Sequence, residues 1–207
     1  MTLFDDTFRT ITTATEGDFR DRGSKFLGFA YPIRSEADAR TYLEALRKIH
    51  PKANHHCYAY RLGLDRNHYR VNDDGEPSGT AGRPILNVLL SRDLTNVLVV
   101  VVRYFGGTLL GVPGLINAYK LATMAALDVA TVVEKTVNEV YRLRFPFEQM
   151  NDVMRVVKEH QLTILKQDFD TACLLDLEMR RTLVEVVMGK LGKLDGVEAK
   201  SVAQGAS

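Results

Sequence analysis

Cysteine is scarce in this chain: there are two in 207 residues, Cys57 and Cys173. Cysteines so far apart form neither a C-x-x-C pair nor a disulfide framework, which suits a reducing compartment and excludes small disulfide-stapled scaffolds. Net charge is nearly absent as well, with 27 Lys and Arg against 26 Asp and Glu. The overall balance therefore demands neither a polyanionic nor a polycationic partner. Long apolar runs are missing too. The longest, Val97–Val102, is far below the roughly 20 residues of a membrane helix. The opening residues, Met1 to Asp6, lack the basic and apolar regions of a signal peptide. These absences together predict a soluble, cytoplasmic protein with no membrane partner.

What is present is a core. Hydrophobic residues make up 45% of the chain, a normal share for a globular protein, and the length suffices for one large domain or two modest ones. Alternation predicts strands at Phe8–Phe19 and Ser24–Ile33, joined through the turn Asp21-Arg22-Gly23. Ser35 and Asp38 form a capping-box-like start to a helix that Pro51 closes. His55–Leu62 alternates, with His55, Cys57, Ala59 and Arg61 on one face and His56, Tyr58, Tyr60 and Leu62 on the other. Gly63–Asn67 reads as a turn and His68–Val71 as a short returning strand. Ile85–Leu90 reads as a short buried helix. Val97–Val102 is valine at five of six positions, so burial on both faces and a central strand are expected. Leu115–Ala130 is apolar almost all round and reads as a buried helix. From about Val132 a β-α-β-β-α-(β) order follows: Val137–Phe145, a helix after Pro146, Leu162–Phe169, Ala172–Met179 across Asp170-Thr171, Thr182–Leu191 and Val197–Val202. That order fits a small ferredoxin-like domain. Cys173 reads as core, and Ala203–Ser207 as a frayed tail.

Two segments stand out chemically. The loop Asn72-Asp-Asp-Gly-Glu-Pro-Ser-Gly-Thr-Ala-Gly-Arg-Pro84 places Asp73, Asp74, Glu76, Ser78, Thr80 and Arg83 close together. One reading is a structured connection, with Asx turns at Asp73 and Asp74 and Thr80 capping the next helix. The other is a binding loop. The stretch Arg103-Tyr-Phe-Gly-Gly-Thr-Leu-Leu-Gly-Val-Pro-Gly114 lies between the central strand and the apolar helix. Its glycines, Gly106, Gly107 and Gly111 among them, permit close backbone approach. Pro113 suits a first helical turn, and an anion or phosphate group is plausible at a Gly111–Gly114 helix start. Asn117 and Lys120 share one face just beyond. Lys120 either serves a ligand, snorkels to the surface or pairs with an acid such as Asp74.

Standard catalytic patterns fail here. Gly75-Glu-Pro-Ser78-Gly79 is not the Gly-x-Ser-x-Gly of a nucleophile elbow. The glycine-rich stretch has neither the P-loop ending nor the dinucleotide fingerprint, and no cofactor is expected. His55, His56 and Asp74 are the weak metal candidates, but neighbouring histidines on a strand point to opposite faces, so no metal is expected. Arg61, Arg70, Arg83 and Arg103 stand at strand ends or beside these loops. Between positions 52 and 120 there are eight Lys and Arg against five Asp and Glu, a mild positive excess. Converging loops would make a positive concave surface with Tyr58, Tyr60 and Tyr104 nearby, suited to RNA or to an acidic protein. Solvated arginines at strand ends are the alternative.

The runs His55-His-Cys-Tyr-Ala-Tyr-Arg61, Asn72–Pro84 and Val101-Val-Arg-Tyr-Phe-Gly-Gly-Thr-Leu-Leu-Gly111, with Gly23-Ser-Lys-Phe-Leu-Gly28 upstream, resemble the signature of the IMPACT family. With the C-terminal unit, the likeness is to its bacterial YigZ-like branch. The resemblance implies an α+β protein. Residues 1–133 would form a βα sandwich of the ribosomal protein S5 domain 2-like class, and residues 134–207 a ferredoxin-like domain similar to one in elongation factor G. Eukaryotic members regulate translation by competing for a partner of an initiation-factor kinase. They carry a different additional domain, so that mechanism does not transfer. What the resemblance implies is a non-enzymatic, translation-associated regulator that binds RNA, ribosome or a translation factor. The alternative is an enzyme acting on a phosphorylated or nucleotide substrate at the same place. The expected ligand- or anion-binding residues are Arg61, Asp73, Asp74, Glu76, Ser78, Thr80, Arg83, Arg103, Gly106, Gly107, Gly111, Asn117 and Lys120.

Overall fold

The computed structural model describes residues 7–63, 68–169 and 173–202. The chain divides into two compact units, one spanning Phe8–Lys135 and the other formed mainly by the chain from Thr136 onward.

The first unit is built on strands β1 (Thr7–Ile11), β2 (Thr15–Asp21), β3 (Ser24–Pro32), β4 (His55–Arg61), β5 (Tyr69–Asn72), β6 (Val97–Tyr104) and β7 (Val132–Thr136). Its helices are α1 (Glu36–Ile49), α2 (Gly82–Ser91) and α3 (Gly111–Asp128). Five strands make one antiparallel sheet in the order β2-β3-β6-β4-β5, and β1 pairs with β7 apart from it. The valine-rich strand is central, as its composition predicts. Val97, Val99 and Val101 pack into the core with α2 and α3, while Leu98, Val100 and Val102 pack with α1. All six are fully buried.

Local chemistry sets the helix positions. Ser35 Oγ accepts the Asp38 N–H at 3.2 Å, and the Asp38 carboxylate accepts the Ser35 N–H at 3.1 Å, closing the expected capping box. The backbone N–H of Arg34 on that carboxylate holds its pKa below the usual range. On the opposite sheet face α3 lies directly on β2 and β3. A Cβ at Gly28 would collide with the Ala122 carbonyl, so glycine there sets the approach distance.

Two expectations need correction. Phe8–Phe19 is not one strand: β1 ends at Ile11, and Thr12 donates its N–H to the Thr131 carbonyl at 3.1 Å before β2 begins. Residues 132–135, expected to begin the second unit, belong to the first. They lie in β7, which pairs back onto β1. Both errors arise because the β1–β7 ribbon is long-range and leaves no local periodicity to read.

The second unit runs β8 (Asn138–Phe145), α4 (Met150–Glu159), β9 (Thr163–Asp168), β10 (Cys173–Arg180), α5 (Val184–Leu191) and β11 (Glu198–Val202). Its antiparallel sheet is ordered β11-β8-β10-β9, the arrangement of a ferredoxin-like βαββαβ unit. Leu143, Phe145, Leu175 and Leu177 pack against Val153 of α4 and Val187 of α5, with Cys173 in the same core. The expected α+β class is therefore observed. The expected Asp170-Thr171 turn and Ala203–Ser207 tail lie outside the described residues, as does most of the Gly63–Asn67 turn.

Candidate functional site

The Asn72–Pro84 loop is held from within by its own acids. Asp73 Oδ1 accepts the N–H groups of Ala81 at 3.1 Å and Gly82 at 2.8 Å, and Oδ2 accepts that of Gly79 at 2.9 Å. Asp73 thus caps α2 from a distance. The expected cap, Thr80, instead donates its hydroxyl to the Pro77 carbonyl at 2.6 Å, and no side chain of the Ala81 N-cap takes part. A carboxylate that reaches two N–H groups at once outcompetes a single hydroxyl. Asp74 adopts φ 42°, with its N–H on Asn72 Oδ1 at 2.7 Å, an Asx turn. Its carboxylate accepts the His56 N–H at 2.7 Å and lies 3.8 Å from Arg47. Lys120 is therefore not its partner.

Glu76 turns inward. Its side chain is 3% exposed and its Oε1 accepts Arg103 Nη1 at 2.5 Å and the Tyr119 hydroxyl at 2.7 Å. Tyr119 also meets the Cys57 thiol, which donates to the Asp73 carbonyl at 2.9 Å. Burial pushes both the Cys57 thiol and the Tyr119 hydroxyl far above their ordinary pKa, so neither ionises near neutrality. The Arg103 guanidinium lies between the Phe26 and Phe105 rings, 5.3 and 5.5 Å from their centroids, where cation–π attraction adds to the ion pair. Ser24 Oγ accepts the Gly106 N–H at 3.1 Å. A Cβ at Gly106 would overlap the backbone of Gly23 and Ser24, so this glycine is required for packing. His55 completes the cluster. Its Nδ1 bonds the Asp74 carbonyl at 2.8 Å and must carry the hydrogen, leaving Nε2 3.8 Å from Glu76 Oε1.

The structure thus brings together His55, Asp73, Asp74, Glu76, Arg103 and Gly106 at one end of the sheet. It separates Arg61, which sits at the far end of β4, buried, with Nη1 on the Leu94 carbonyl at 3.2 Å and on Asp93 at 3.3 Å. That arginine is a structural tie. Arg70 stands on β5 opposite Tyr60. Tyr58 and Tyr60 are buried beneath α1, and the Tyr104 hydroxyl is bonded to His50 Nδ1 at 2.9 Å. These tyrosines offer no platform beside the loop. His55 and His56 face opposite sides of β4, and among the described residues no three His, Cys, Asp or Glu side chains gather as a metal-ligand set.

Outward-facing groups form the other half of the site. Ser78, Arg83, Gly107, Gly111, Asn117 and Lys120 are exposed. Beside them runs a stripe that the sequence reading missed: Leu109, Val112 and Ile116, 81%, 52% and 39% exposed, with Phe105 at 45%. The spacing i, i+3, i+7 was visible, but the near-continuous apolar character of α3 suggested burial all round.

The model of the Impact N-terminal domain matches residues 22–127. The chain belongs to the IMPACT family. An IMPACT family member of Haemophilus influenzae is 32% identical over 170 residues, 81% of this chain and 82% of that protein. The Escherichia coli IMPACT family member YigZ is 34% identical over 155 residues, 74% of this chain and 76% of that one. The crystal structure of a hypothetical protein superposes with a TM-score of 0.69 at 27% identity, covering 97% of this chain and all of that chain. The span matched by the IMPACT domain encloses the loop, the Glu76 network and Lys120, while the ferredoxin-like unit lies beyond it.

Proposed function

We propose that this IMPACT-family chain is a non-enzymatic, translation-associated regulator that binds RNA, ribosome or a translation factor through the glycine-rich surface. The observation that carries this reading is the consumption of the loop's acids. Asp73 braces backbone, Asp74 bonds His56 and Glu76 is buried on Arg103 and Tyr119. Their work is to rigidify a loop, lowering the ordering cost of binding. Facing solvent instead are the cations Arg83 and Lys120, Asn117, the uncapped first turn of α3 and an apolar stripe. Cations next to apolar side chains suit a partner that carries phosphate or carboxylate groups on a shaped surface. The translation link rests on the resemblance of the motifs to the family.

Ribosome co-sedimentation at low salt tests this proposal. Recovery of the chain in the pellet, reduced by Arg83→Ala or Lys120→Ala, supports it; no recovery sinks the ribosomal version. A second reading, an enzyme on a phosphorylated substrate, has one observation in its favour: His55 keeps Nε2 beside Glu76 with its side chain 23% exposed. Turnover of a phosphorylated substrate, lost in His55→Ala, would favour it over the binding module.

A further inference from the structure

The five-stranded sheet is covered unequally. On one face α2 and α3 complete a core spanning β3, β6 and β4. On the other, the buried residues of α1, Ala39, Leu43 and Leu46, pack with β4 and β6 side chains. Beside α1, the outward side chains of β3 (Leu27, Phe29 and Tyr31) are only half-buried, and they floor an open trough of about 1050 Å³. Ile49 and Val129, 67% and 65% exposed, stand on its walls. None of its lining residues belongs to the Asn72–Pro84 loop or to the glycine-rich turn.

We propose that this trough is a docking site for an amphipathic helix of a partner protein. The uncovered part of this face is two strands wide, with the apolar floor on β3 and the charged rim on β2. At roughly 4.8 Å per strand that is about 10 Å, the diameter of one helix with its side chains. A sheet face that buries only part of its apolar surface completes its layer by adding a helix alongside the first. The rim charges select among partners. Glu16, Asp18 and Arg20 project from β2 on the trough side, opposite Phe29, Leu27 and Lys25 of β3. Two acids and two bases give no net charge, and a phosphate chain would run against both acids. Base stacking is also obstructed, because Tyr31 already stacks on Tyr42 at 4.1 Å and Phe29 packs 5.5 Å from His50. A helix with an apolar stripe flanked by charges of both signs matches rim and floor together. An extended strand added at the edge of β2 would leave the floor open.

The test uses the full-length chain with a photo-crosslinking phenylalanine derivative at Ile49 or, separately, at Val129, irradiated in cell extract, with captured peptides mapped by mass spectrometry. The expected result is that both positions capture the same segment of one protein, at residues spaced three and four apart. A peptide synthesised from that segment should bind the unmodified chain, gain helical circular dichroism on binding, and lose at least tenfold in affinity to Ile49→Glu. Ile49 is too exposed for that change to disturb folding. Capture of RNA, of residues 138–202 of the chain itself or of a second copy, capture of unrelated segments at the two positions, or no capture would each overturn the proposal, as would an unchanged affinity.

Discussion

Cutting the Glu76–Arg103 ion pair from either side should destabilise the first unit severely. The two side chains are 3% and 6% exposed, so removing one leaves a charge with little access to water. Breaking a buried pair this way costs about 3–5 kcal/mol, whereas replacing both partners by apolar groups of similar size is often near neutral. Glu76→Leu and Arg103→Met should each fall in that range. At a urea dependence of about 2 kcal/mol per molar, either variant should unfold at a urea concentration lower by about 2 M. The double variant should lose less than the sum, since neither charge remains. Glu76→Leu still removes the acceptor of the Tyr119 hydroxyl proton, which keeps the double variant below the wild type. Hydrogen exchange of α3 peptides across a urea series reads this unit separately from the ferredoxin-like one. Single variants that lose under about 1 kcal/mol, the effect of an ordinary substitution, would refute the claim that this pair organises the loop.

Three more outcomes follow from the same network. Asp73→Ala removes the acceptor for the N–H groups of Gly79, Ala81 and Gly82; a lost cap costs about 0.5–2 kcal/mol, and amide exchange should accelerate at those residues first. Burial holds the His56 imidazole below its ordinary pKa, which is about 6.5. The unfolded chain therefore takes up that proton first. The His56 contribution is nil above about pH 6.5 and turns destabilising as pH falls below it, levelling off beneath the folded pKa; His56→Gln should flatten the fall in urea midpoint over that window. Cys57 and Cys173 are both buried, and the Cys57 thiol is pushed well above its ordinary pKa. Neither should react with a thiol reagent at pH 8 until the chain unfolds.

Much of the scaffold was legible because it is local. The capping box at Ser35, the two faces of His55–Arg61 and the double burial of Val97–Val102 each follow from a repeat or a short motif. The site was legible as a region and misread in detail. Asp73, Asp74 and Glu76 look alike in a loop sequence, yet one caps a helix, one accepts the His56 backbone N–H and one is buried on an arginine 27 positions away. Tyr119, which closes that network, sits in an apolar helix where nothing local distinguishes a hydrogen-bonded tyrosine from core. Arg61 and Arg103 differ only in which end of the sheet they occupy. Register settles that, and register is set by pairing between distant strands.

The central claim is that the glycine-rich surface binds through its outward cations while the buried network only holds it in shape. Its most direct test is the salt dependence of ribosome binding for the wild type and for Arg83→Ala with Lys120→Ala combined. Each cation that contacts a phosphate contributes about one to the slope of log K against log salt. The account predicts measurable low-salt binding and a slope shallower by about two in the double variant, with its urea midpoint unchanged. Binding that is absent at low salt, or a slope that both substitutions leave as it was, would contradict it.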